Sequence, residues 1–298
     1  MLVCAGPGLA RTLYSRIFPL YMSKLIVHGG TPLQGRIIPS SNKNAVLPVL
    51  CATLLTSEPL SLHGVPDITD VRKILDIFEK LGSSVQMDYA SGELKLHHAH
   101  TQFDACKDHL PEEMRSSIML GPPLLARFGV ARLEDNVKGC TLGVREIDPH
   151  IEVFRRFGGR VEHGEGSLIV RADGKLHATQ HWLDYASVTT TENFVLCAAT
   201  AEGTSVLTNA ACEPHVQEFC RFMVMLGAQI EGIGTSRLTV HGVQKLGGGE
   251  FHFEEDFHEI TTFLALGAIT GGDVQVRNRT PDNFPLIDRT FAKFGVQI

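Results

Sequence analysis

"DVRKILDIFEKLGSSVQ", residues 70–86, is the stretch from which the fold is read. Its first twelve residues set Val71, Ile74, Leu75, Ile77, Phe78 and Leu81 along one stripe, so residues 70–81 are expected to form a helix with one face on a core. Asp70 stands where it would cap that helix or complement its dipole. Gly82 follows at the point where helix gives way to strand. A left-handed backbone is needed there, and glycine adopts it without a Cβ clash.

The same step, a bulky residue followed by glycine, returns as "FRRFGGRVE" around Gly158, "FMVMLGAQIE" around Gly227 and "FAKFGVQI" around Gly295. Successive glycines are 76, 69 and 68 residues apart, which marks an internal repeat. Each unit opens with a different kind of helix. "NAVLPVLCATLL", "SSIMLGPPLLARFG", "ENFVLCAATAEG" and "EITTFLALGAITGG" are apolar around much of their circumference and belong inside a structure. Alternating strands follow at 60–65, 131–135, 205–210 and 273–278, each with one face to the core. The expectation is an α/β architecture of repeated βαβ units, with buried helices and outer sheets.

Three units are complete between about Asn44 and Val243, and "KLGGGEFHF" (245–253) reads as a connection into another body. The fourth unit stops at Ile298 without the closing hairpin of the others. A repeat that cannot cover its own apolar helix needs neighbours, so the chain reads as truncated or dependent on a partner. The expected division is an N-terminal extension (1–21), a complete three-unit domain (44–246), and a partial second domain made of 22–43 with 247–298.

With 298 residues, 43% of them apolar, the chain can bury a large core and suits two domains. A formal charge of -6 and a pI near 6.1 leave no basic footprint for nucleic acid or an acidic membrane, so small-molecule chemistry is the default. The seven cysteines are odd in number and no two are separated by just two residues, which suggests neither a zinc ribbon nor a redox pair and fits a reduced, cytoplasmic setting. Arg11 and Arg16 interrupt the apolar start, which spoils it as a signal peptide or membrane span. A second methionine, Met22, opens a strand-like segment, and residues 1–21 are expected to contribute little to the fold.

Candidate chemistry gathers at helix starts. "PSSNKNAVLP" (39–48) predicts a cap at Ser41 or Asn42 with Lys43 and Asn44 in the first turn, where free amides and a cation attract anions. Taken alone, it also reads as a capped helix with a solvated lysine. Arg115 stands at the equivalent point of the second unit, and Arg145 follows in "VREID". Singly each is a surface charge; together Lys43 and Arg115 occupy matching places in a quasi-symmetric body and imply a phosphorylated or carboxylated substrate. Cys140, in "VKGCTLGVREID" (137–148), reads as filler, metal ligand or reagent. Local cysteine or histidine partners for a metal are lacking, whereas Lys138 and Arg145 would draw a loop thiol's pKa down from about 8.5. HExxH does not occur; His97, His98 and His100 offer a weak metal-site reading but are more simply surface positions of an exposed strand, so no metal or other cofactor is expected.

Across residues 23–298 the chain resembles the UDP-N-acetylglucosamine 1-carboxyvinyltransferases, a family of enolpyruvyl transferases. The resemblance rests on "LQGRIIPSSNKNAVLP", "VPDITDV", "MRSSIMLGPPLLARFG", "GCTLGVREID", "ATAEGTSVLTNAACEP" and "LGGGEFHF", in family order. It implies an inside-out α/β barrel of six units in two domains with the substrate cleft between them. The implied reaction moves the enolpyruvyl group of phosphoenolpyruvate to the 3′-hydroxyl of UDP-N-acetylglucosamine, the first committed step of peptidoglycan precursor synthesis. By position, Lys43 and Asn44 match the family's phosphoenolpyruvate contacts, and Cys140 its proton donor and fosfomycin target. Arg115, Arg145, Asp148, Ser187 and Val188 match contacts to the nucleotide sugar. Glu146, Tyr185 and Thr189 depart from the usual proline, lysine and glycine. The family's last two units, with a base and further arginines, have no counterpart here, so the isolated chain is expected to be inactive. Two other readings are a non-catalytic paralogue binding a nucleotide sugar or a partner, and an enolpyruvyl transferase for another acceptor.

Overall fold

The computed structural model describes residues 26–105, 115–134, 146–164 and 167–298. Among the described residues the first element is strand β1 (Gln34–Ile37), and three similar passages follow. The first is helix α1 (Lys43–Thr53), β2 (Leu60–His63), α2 (Thr69–Lys80), β3 (Ser84–Asp88) and β4 (Glu93–His97). The second opens with a 3-10 helix (Arg115–Leu120) that runs into α3 (Gly121–Phe128), then β5 (Val130–Glu134), α4 (Asp148–Arg156), β6 (Arg160–Gly164) and β7 (Ser167–Arg171). The third is β8 (Gln180–Trp182), α5 (Val188–Ala198), β9 (Thr204–Thr208), α6 (Pro214–Met225), β10 (Gln229–Glu231) and β11 (Arg237–His241). The chain ends with β12 (Gly249–His252), α7 (Phe257–Thr270), β13 (Asp273–Val276) and α8 (Pro285–Lys293).

The repeat is real down to single hydrogen bonds. Gly82, Gly158, Gly227 and Gly295 have φ of 86°, 94°, 101° and 75°, the left-handed turn expected of them. At each, the residue after the glycine donates its N–H back to a helix carbonyl: Ser83 to Phe78, Gly159 to Phe154, Ala228 to Met223 and Val296 to Phe291, at 2.8–3.1 Å. Four helices therefore end in the same Schellman motif. Asp70 lies in the first turn of α2 and can act on its dipole, but the cap is Ile68, which offers no side-chain bond, because the helix starts one residue earlier than the apolar stripe suggests.

α1 and α5 are the inner helices the sequence asks for, buried from Ala45 to Thr53 and from Thr190 to Ala198. Around them run sheets in the orders β12-β2-β4-β3, β5-β7-β6 and β10-β11-β9-β8. Phe157, at the end of α4, meets Phe194 of α5 edge-on at 5.0 Å, one of many contacts within a single core. α7 has the same apolar composition, yet only Ile260 and Gly267 are buried and Ile269 is 81% exposed. The reason is local: among the described residues it packs chiefly on β13, and no second layer covers its other side.

One feature of the topology was not readable in the sequence. β8, which precedes α5, pairs in parallel with β9, which follows it. Units one and four trade these partners: β1 pairs with β13, and β12 pairs with β2. The segment expected to be a connection thus begins as an edge strand of the first unit's sheet. The two crossing strands meet where Ser41 bridges Glu255, Asp256 N–H donates to Ser40 O (2.8 Å) and Asn42 N–H to Glu254 O (3.4 Å).

His98 also departs from expectation. It is wholly buried, with Nδ1 2.8 Å from Ser83 Oγ and Nε2 3.0 Å from Thr53 Oγ1. β4 ends at His97, and His98 continues by one step the inward alternation of Leu94 and Leu96, so its parity is that of the core face. Burial pushes its pKa down to about 3, with help from Arg127.

Candidate functional site

Asn42 caps α1 as predicted: its Oδ1 accepts the N–H of Asn44 at 2.9 Å, while Nδ2 is buried without a partner among the described residues. Pro48 has no N–H, so the Asn44 carbonyl receives no helical hydrogen bond from that residue. Lys43 is half exposed and its Nζ lies 2.7 Å from Asp70 Oδ2, in the first turn of α2. The start of the inner helix is thereby tied to the start of the outer one.

Ser187 caps α5, its Oγ accepting from Thr190 N–H at 3.4 Å, and Val188 is the first helical residue. Asp148 opens α4 and is exposed. Two residues on, His150 is buried against α5: its Nε2 lies 3.4 Å from Thr189 Oγ1, and its Nδ1 accepts from the Asn193 amide at 2.9 Å. The same amide reaches the carbonyl of Ile118 at 3.4 Å, in the 3-10 helix that begins at Arg115. Asn193 therefore joins the elements that carry Arg115, Asp148 and Ser187–Val188. Lys43 and Asn44 are held separately, through Asp70 and Asn42. Cys140 and Arg145 lie outside the described residues, and so does the side chain of Arg115.

Sequence reasoning missed His150, Asn193 and Glu192. A signal was present, since "ENFVLCAA" sets two polar residues against an otherwise apolar helix that must be buried. Glu192 is 1% exposed, and burial, reinforced by Glu213, pushes its carboxyl well above the usual range. Its charge would face Cys51 and Cys220, whose thiols burial also raises, that of Cys220 to about 12. Burial likewise raises the Cys197 thiol, so none of these three has the lowered pKa of a reactive thiol.

Comparison with known proteins sets this geometry in a class. The fold matches that of the enolpyruvyl transferase NikO from Streptomyces tendae, with a TM-score of 0.78 at 22% identity over 91% of this chain and 64% of that one. An EPSP synthase from Acinetobacter baumannii matches with a TM-score of 0.65 at 20% identity, over 83% of this chain and 56% of that one. The family model described as EPSP synthase (3-phosphoshikimate 1-carboxyvinyltransferase) matches residues 27–298. The chain belongs to the EPSP synthase family, and its architecture is the inside-out α/β barrel of enolpyruvyl transferases.

Within that family it is similar to proteins named UDP-N-acetylglucosamine 1-carboxyvinyltransferase. One from Borreliella burgdorferi is 36% identical over 276 residues, and one from Treponema denticola 37% over 275. Each match covers 92% of this chain and 64% of the relative, so the chain spans about two thirds of those proteins' length.

Proposed function

We propose that this chain serves the transfer of the enolpyruvyl group of phosphoenolpyruvate to the 3′-hydroxyl of UDP-N-acetylglucosamine, in the cytoplasm and for peptidoglycan precursor synthesis. The observation that carries the reading is the 35–37% identity, along nearly the whole chain, to relatives bearing that activity's name. Lys43 and the capped start of α1 bind phosphoenolpyruvate, a cation and free helix amides being suited to its anionic groups. Arg115, Arg145, Asp148, Ser187 and Val188 bind the nucleotide sugar, four of them on elements that Asn193 holds together. Cys140 gives a proton to the methylene carbon while the sugar hydroxyl adds to the neighbouring carbon and releases its own proton to a base. Loss of phosphate and of a proton from the new methyl group then restores the carbon–carbon double bond, now in an enol ether.

Thr189 favours a second reading. At the position where the family resemblance leads one to expect glycine, its Oγ1 faces His150 at 3.4 Å, which puts a side chain beside the proposed sugar-nucleotide contact. That suits a protein that binds a nucleotide sugar without turning it over, or one with another acceptor. Calorimetry with UDP-N-acetylglucosamine and a phosphate-release assay with both substrates decide the matter. Binding lost in Asp148→Ala supports the nucleotide-sugar site, and phosphate release separates catalysis from binding alone. A folded chain that binds neither substrate overturns both readings.

A further inference from the structure

We propose that His63, Glu250 and His252 bind a divalent transition-metal ion of the zinc class, which fastens the exchanged strand β12 to β2. His63 and His252 are direct partners across the parallel β2–β12 pair. Glu250, two residues before His252, falls on the same face because side chains alternate along a strand. Leu60 and Leu62 of β2 are buried, so this is the outward face, where an ion has access.

The three donors converge. The imidazoles stack with centroids 4.3 Å apart and planes 13° from parallel, so the rings lie side by side, and rotation of the exposed His252 ring about its side-chain bonds would let both Nε2 atoms address one ion. Glu250 Oε1 lies 2.9 Å from His63 Nε2 and 3.2 Å from His252 Nε2, and all three ligand atoms fall within 4.8 Å of one another. Ligands on a tetrahedral zinc, at bond lengths near 2.0–2.2 Å, stand roughly 3.3 Å apart. Two edges of that figure are already close to length, and a small shift of exposed side chains brings the donors onto an ion. Two imidazoles and a carboxylate are also a donor set suited to zinc, with water in the fourth place.

A second observation points the same way. His63 Nε2 is buried and, despite its distance from Glu250, makes no hydrogen bond of acceptable geometry among the described residues. In the Nδ1–H tautomer this buried nitrogen presents a lone pair that no donor uses and that an ion would take. The surroundings suit a cation: Glu93 is the partner of His63 on β4, and Lys95 on that strand is engaged with Glu93 at 3.1 Å. The location gives the ion a task. β12 is an edge strand, and the residues after it cross against Ser40–Asn42, just before Lys43. A metal here would brace the crossing that leads into α1.

The test is a titration of Co2+ into the full chain, stripped beforehand with chelator and followed by absorption and calorimetry. One ion per chain is expected, with the visible bands of nitrogen and oxygen ligation and without a thiolate charge-transfer band. His252→Ala and Glu250→Gln, both at exposed positions, should each weaken binding at least ~10-fold, and His63→Ala/His252→Ala more than ~100-fold. Circular dichroism checks that the variants fold. Zn2+ should raise the Tm of the unsubstituted chain and leave that of the double variant unmoved. Absence of stoichiometric binding, equal affinity in the double variant, or a thiolate band that places the ion on the cysteines overturns the proposal.

Discussion

His150 Nδ1 accepts a hydrogen bond from the Asn193 side chain at 2.9 Å, and through that bond the start of α4 is oriented on the start of α5. Both hydrogens of the Asn193 amide have acceptors, His150 and the Ile118 carbonyl, which assigns the orientation of the amide. With Nδ1 accepting, the ring proton lies on Nε2, toward Thr189. Replacing Asn193 by leucine keeps the volume and strands these buried acceptors. Each unsatisfied group costs about 1–3 kcal/mol, so a loss of roughly 2–4 kcal/mol in urea unfolding is expected, together with weaker UDP-N-acetylglucosamine binding. A stability change below about 0.5 kcal/mol would mean that the joint does not hold these elements.

Glu218 should make stability depend on pH. It is 2% exposed, and burial pushes its carboxyl up to about 8, against the opposing pull of the Glu254 N–H it accepts at 2.7 Å. The folded chain therefore keeps a proton that the unfolded chain releases above its ordinary value of 4.5. Stability is highest below that value and falls as pH rises toward 8, where this group's contribution levels off. Glu218→Gln retains the acceptor and cannot ionise. Relative to the unsubstituted chain, it should gain on the order of 3 kcal/mol between pH 5 and pH 8, read from denaturant midpoints at both values. Parallel curves for the two proteins would refute the assignment.

The Lys43–Asp70 pair separates structure from chemistry. Both side chains reach solvent, 53% and 29% exposed, so Asp70→Asn should change stability by less than about 1 kcal/mol. Lys43→Ala should be as mild for folding while lowering phosphoenolpyruvate affinity by about 10-fold or more, the worth of one charged hydrogen bond. Fluorescence or calorimetric titration with phosphoenolpyruvate reads the second effect. Equal affinity in the variant removes Lys43 from the anion site.

What could be read from the residues alone was decided within one helical turn or one strand. The four glycine stops, the Asn42 cap and the apolar inner helices follow from neighbours close in sequence, because left-handed turns, capping bonds and alternation are local constraints. The period of the glycines then implied the repeated fold. What only the tertiary structure decided depends on segments brought together over long separations. His98 looked like a strand surface and is core: it shares the inward parity of Leu94 and Leu96, but only the fold supplies the Ser83 and Thr53 hydroxyls that let a histidine sit there. α7 looked like a core helix and is largely exposed, because burial depends on what packs against a helix as well as on its composition. The exchange of β1 and β12 places His63 beside residues nearly two hundred positions away, and Asn193 unites three elements from two units. Such pairings are chosen by packing and register across the whole molecule, and local pattern contains no record of them.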